Sequence, residues 1–160
     1  MHNAISAALD AICKERDDQS FSEAFDAVDV IVREMGERDL ANILFTEIPR
    51  SVPFEVVADL FNILAWQTSD NGAAMTRAIE SWLIEGSDNR KLLIALNLDV
   101  YPFINAKEME TVLMRLTESN VRVAARCKEL IRSRQNGASK PNNLIIRTAN
   151  ALRAMVAGHR

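Results

Sequence analysis

An all-α fold of antiparallel helix pairs is what this sequence predicts, and three observations predict it. Apolar residues recur at helical spacing along most of the 160 residues. Only 5 Gly and 4 Pro are present, which leaves little turn chemistry. The alternation of Val, Ile and Thr that marks a half-buried strand is absent. With 48% hydrophobic and 26% charged residues, the chain is long enough for one domain with a sizeable core.

The first helix, 3–16, sets Ile5, Ala8, Leu9, Ile12 and Cys13 on one face. A capping box, Ser20 to Glu23, opens the second: Ser20 is expected to accept a first-turn N–H while Glu23 reaches back. Its stripe is Phe21, Phe25, Val28, Val32 and Met35, and Gly36 ends it. The third, 37–48, turns Leu40, Ile43, Leu44 and Ile48 inward and stops before Pro49, because proline disfavours the helical conformation in its predecessor. Pro53 opens the fourth, FEVVADLFNILAW, which is apolar nearly all round except at Glu55, Asp59 and Asn62 and is therefore expected at the centre, packed on two neighbours.

The fifth helix, 72–85, carries Met75, Ala78, Ile79, Trp82 and Leu83 and ends at Gly86. Asp88 caps the sixth, which runs to about Asn97 with Leu92, Leu93 and Leu96 inward. LDVYPF, 98–103, is an irregular apolar stretch. A second capping box, Asn105 to Glu108, starts the seventh, which buries Met109, Val112, Leu113 and Leu116. Asn120 caps the eighth, with Val123, Ala124, Cys127, Leu130 and Ile131 inward. The polar stretch 134–142 reads as a linker, and a ninth helix, 143–157, turns Ile145, Ala149, Leu152 and Val156 to one side. One helical domain, 1–133, is thus expected, with residues 143–160 packing on it as a cap.

WLIEGSDNRKLLIAL, 82–96, and LMRLTESNVRVAARC, 113–127, share a pattern: a helix end, a short polar turn, a capping residue and an Arg two positions later. Asp88 and Arg90 thereby correspond to Asn120 and Arg122. These stretches resemble the second helix of a HEAT repeat, with VRVAARCKEL the best match and residues 73–133 the extent. The resemblance implies a short HEAT-like α-solenoid of about nine helices, small Ala positions at close helix contacts, and Arg90 and Arg122 packed along the inter-helix turns. PRSVPFEVV lacks the matching Arg, and the repeat offset is shorter than the roughly 40 to 47 residues usual for the class.

Neither His2 nor His159 lies in the body of the chain, and no HExxH, CxxC or glycine-rich phosphate loop occurs. Scattered carboxylates such as Glu47, Glu55, Asp59 and Glu80 read as solvated helix positions, so no enzymatic activity, metal or cofactor is expected. Trp66 and Trp82 read as core or groove anchors. Cys13 and Cys127 both read as buried free thiols. The longest apolar runs, such as 92–96, are too short to cross a bilayer, and MHNAISAALD lacks the regions of a secretion signal, so the expectation is a cytoplasmic protein without membrane contact.

Charge carries the functional reading. Residues 1–120 hold 10 Lys or Arg against 21 Asp or Glu, whereas 121–160 hold 9 against 1. Among the early acids, Asp17, Asp18, Asp26, Asp29 and Glu37 are the candidate acidic face that would steer a basic protein partner, with Asp26 and Asp29 the leading pair. The competing basic face is Arg126, Lys128, Arg132 and Arg134, which would track a phosphate backbone; no aromatic follows Phe103 to stack bases. In size, acidity and lack of a catalytic set the chain resembles, as a class, the immunity proteins that neutralise bacterial toxins, many of them basic nucleases. That resemblance implies a non-catalytic inhibitor of a basic toxin domain. The alternatives are an adaptor or regulatory subunit, and a nucleic-acid binder using residues 121–160.

Overall fold

The computed structural model describes residues 1–17 and 20–137. Asp18, most of the expected linker and the expected ninth helix lie outside the described residues. Among the described residues there are eight helices and no strand: α1 (Asn3–Glu15), α2 (Ser22–Met35), α3 (Leu40–Glu47), α4 (Phe54–Gln67), α5 (Ala73–Glu85), α6 (Asn89–Leu96), α7 (Ala106–Ser119) and α8 (Val121–Gln135).

Sequential neighbours α1 and α2, α5 and α6, and α7 and α8 pack on each other. Beyond these, α2 touches α4, α4 touches α6 and α6 touches α8, while α3 touches α5 and α5 touches α7. The centre is α4, which also meets α1 and buries Val56, Val57, Ala58, Leu60, Phe61, Ile63 and Leu64. Its apolar residues occupy more than one stripe, so contact on several sides is the arrangement that removes them all from water.

Local chemistry ends many of the helices as expected. Asp88 accepts the N–H groups of Arg90 and Lys91, Asn105 those of Lys107 and Glu108, and Asn120 that of Arg122. Gly36 and Gly86 close α2 and α5. Gly72, at φ +79°, starts α5 so close to α4 that a Cβ there would lie 2.8 Å from the Ala65 Cβ.

Other expectations are corrected. Ser20 and Glu23 do not form the capping box. The N-cap of α2 is Phe21, in the left-handed region at φ 49°, and the capping carboxylate belongs to Glu15 of α1. Glu23 instead pairs with Lys14. The buried stripe of α2 includes Ile31, whereas Val32 and Met35 are only partly buried. Helix α3 begins at Leu40, after Asp39 at φ 54°, because residues 36–39 turn the chain and Glu37 is drawn to Ser69. Cys13 is exposed; Cys127 alone of the two thiols is buried. Arg134 and Gln135, placed in the expected linker, are still part of α8.

Candidate functional site

Most of the candidate acidic residues lie on or beside α1 and α2, which pack on each other. The two helices run antiparallel from their connection, where the Lys14 Nζ lies 2.8 Å from a Glu23 oxygen. At the far end His2 Nδ1 lies 3.8 Å from Glu34. Asp10 lies four residues before Lys14 in α1, and Asp26 three residues after Glu23 in α2. Within α2, Asp29 is 2.9 Å from Arg33. Asp10 and Asp26 are exposed, and neither has an ion pair or hydrogen bond among the described residues. Two exposed carboxylates without an ion pair add negative potential to this side of the helix pair.

The expected acidic residues therefore divide. Asp26 and Asp17 are exposed, Asp29 is held by Arg33, and Asp18 is outside the described residues. Glu37 is occupied: its carboxylate accepts the Ser69 N–H at 2.9 Å and the Ser69 hydroxyl at 2.7 Å, fastening the α2–α3 turn to the α4–α5 connection. Asp10 was missed from the candidate face. The signal for it was its i, i+4 relation to Lys14, which becomes informative only with the register across the pair.

The basic residues of α8 divide as well. Arg134 donates to the carbonyls of Pro102, Phe103 and Ile104 at 3.2, 2.8 and 2.7 Å, and its guanidinium lies 5.3 Å from the centre of the Tyr101 ring. Arg126 donates through Nε to Leu96 O at 3.2 Å and pairs with Glu129 at 2.8 Å. Lys128 and Arg132 remain exposed. Two of the four cations thus hold the irregular stretch and the end of α6 in place.

Similar clamps recur. Arg90 donates to Arg50 O at 2.6 Å and Pro49 O at 3.1 Å, as expected of a residue packed along the turn. Burial, then the charge of Arg50, lowers its pKa, against the opposing pull of Asp88. The expected counterpart, Arg122, is exposed and its side chain makes no hydrogen bond among the described residues. Its place is taken by Arg115, which donates to Leu83 O at 3.0 Å and Ile84 O at 2.5 Å. Arginines on α6, α7 and α8 therefore satisfy carbonyls 30 to 41 residues earlier in the chain.

Of the two tryptophans, Trp82 is buried against Phe45 and Phe61 and donates through Nε1 to Asn42 Oδ1 at 2.8 Å. Trp66 is 49% exposed. Burial pushes the Cys127 thiol up to about 11, against smaller opposing effects of Thr117 and Arg126. Among the described residues no group of three or more His, Cys, Asp or Glu is placed to hold a metal ion, and no helix is long and apolar enough to cross a membrane. Comparison with protein-family models, with curated proteins and with solved structures finds no significant match.

Proposed function

We propose that this protein is a non-catalytic binding module, built as a short α-solenoid of HEAT-like helix pairs, that neutralises a basic protein domain in the manner of a bacterial immunity protein acting in the cytoplasm. Two features support the solenoid reading: the serial contacts of α2, α4, α6 and α8 and of α3, α5 and α7, and the arginines reaching back to an earlier helix end. Such stacking joins each helix pair chiefly to its neighbours and leaves long faces free for a partner. The exposed Arg122 does not fit the repeat pattern, and Arg115 supplies the clamp instead.

The observation that carries the functional reading is the pair of carboxylates Asp10 on α1 and Asp26 on α2, both exposed and without an ion pair among the described residues. A basic domain supplies the missing charge, and the acidic field around it speeds encounter. The nucleic-acid reading is weaker, because Arg126 and Arg134 are committed to carbonyls within the fold.

The test is protection. The protein captured by the full chain from its own cells is expressed alone, then together with the wild type or with Asp10→Lys, Asp26→Lys. The inhibitor reading expects growth arrest by the captured protein, rescue by the wild type and poor rescue by the double variant. A harmless captured protein favours an adaptor or regulatory subunit and contradicts the inhibitor reading.

A further inference from the structure

The turns that join α3 to α4 and α5 to α6, together with the start of α8, border one open groove of about 570 Å³. Arg50 of the α3–α4 turn, Arg90 in the first turn of α6 and Arg122 at the start of α8 line it, and the acid among its lining residues is Asp88. Arg50 already lies 3.0 Å from Asp88, which leaves the lining with a surplus of positive charge. Arg90 is fixed by its bonds to the carbonyls of Pro49 and Arg50, while Arg122 is exposed with a guanidinium that no described residue engages. The lining also includes Phe54 and Leu93, both partly buried against the core.

We propose that this groove docks a short extended segment of a partner protein in which carboxylates alternate with apolar side chains. In an extended segment successive side chains point to opposite sides, so acidic side chains meet Arg50 and Arg122 while the intervening apolar ones lie against Phe54 and Leu93. A guanidinium binds a carboxylate through two parallel N–H bonds, and the fixed Arg90 beside the exposed Arg122 sets the register. A lone phosphate fills only a small part of the volume and leaves the apolar lining uncovered. A single-stranded nucleic acid needs rings for successive bases, and Phe54 is the aromatic residue of this lining. The chain's own residues 138–160 carry Lys140, Arg147, Arg153 and Arg160 and no acidic side chain, so their charge opposes entry. This groove is separate from the α1–α2 seam, and its occupant carries the opposite charge.

The probe is a fluorescent peptide of about eight residues alternating Glu and Leu, compared with its Lys and Leu counterpart. Binding to the full chain is measured by anisotropy at low and physiological salt. The proposal expects the Glu peptide to bind, the Lys peptide not to bind, and Arg122→Glu to weaken the Glu peptide by about tenfold or more. Arg122→Ala should lie between them with an unchanged melting temperature, since the side chain holds nothing in the fold. Asp26→Lys on the seam should not weaken the peptide. Failure of the Glu peptide to bind, or equal binding by wild type, Arg122→Glu and Arg122→Ala, overturns the proposal. Displacement of the peptide by equimolar oligonucleotide or inorganic phosphate also overturns it, in favour of a simple anion site.

Discussion

Glu15, the last residue of α1, accepts the backbone N–H of Ala24 in α2 through Oε2 at 2.9 Å. Its other oxygen accepts the Glu23 N–H at 2.9 Å and the hydroxyls of Ser20 and Ser22 at 3.3 Å. One helix end thus caps the beginning of the next, and the side chain is buried to do it, with the residue only 4% exposed. Negative charge at a helix N-terminus is favourable, and the two N–H groups it satisfies have no side-chain cap from Phe21.

Glu15→Ala should therefore destabilise the fold by about 2 to 3 kcal/mol, the combined cost of a lost cap and of buried donors left without acceptors. Glu15→Gln, which keeps one acceptor oxygen, should cost less. Urea unfolding midpoints measure both; a loss under about 0.5 kcal/mol for the alanine variant would contradict this role.

Arg134 gives the second prediction. Because its guanidinium satisfies three carbonyls of residues 102–104, Arg134→Ala should cost about 1.5 to 3 kcal/mol, the range for hydrogen bonds to a charged group. Lys128→Ala, at an exposed position of the same helix, should change stability by under about 0.5 kcal/mol. Equal effects on thermal unfolding would mean that α8 presents both residues to solvent alike.

Asp88 makes stability depend on acid. Burial pushes its carboxyl up, but the N–H groups of Lys91 and Arg90 and the Arg50 guanidinium outweigh this and hold it below the ordinary 3.8. A depressed folded pKa contributes stability that is fully present above the unfolded value and is lost as pH falls through the folded one. The stability gap between wild type and Asp88→Asn should thus narrow as pH drops from about 5 to below about 3. A gap independent of pH across that range would show that the charge contributes nothing.

The two thiols should separate chemically. Cys127 is buried with its thiol pushed up to about 11, whereas Cys13 is exposed. Iodoacetamide at about pH 8 should modify Cys13 in the native protein and Cys127 only after unfolding, since the thiolate is the reactive form. Mass spectrometry of the native sample showing two rapid additions would contradict the packing of α8.

What was legible in the sequence was local. Asp88, Asn105 and Asn120 cap helices within their own next turn, and Gly36 and Gly86 end helices by their own backbone, so neighbouring residues suffice to read them. The centrality of α4 was legible because its apolar residues spread well beyond one stripe and leave only the narrow polar row of Glu55, Asp59 and Asn62. Glu15 was not, because its partners lie across a helix connection while Ser20 to Glu23 offered a plausible local cap. Arg115 and Arg134 were also hidden, since their carbonyl partners lie some 30 residues away and only tertiary packing brings them together. The same reason separates Glu37, committed to Ser69, from the exposed Asp26.

On the proposed function, the exposed Asp10 and Asp26 belong to the face that captures a basic protein. The most direct test of this capture is the association rate of the captured partner with the full chain, wild type against Asp10→Lys, Asp26→Lys, measured at low and high salt. Electrostatic steering predicts that wild-type association falls steeply as salt rises, that the double variant associates at least about tenfold more slowly at low salt, and that the gap closes at high salt. An association rate that is insensitive to salt and equal for the two proteins would rule out capture through these carboxylates.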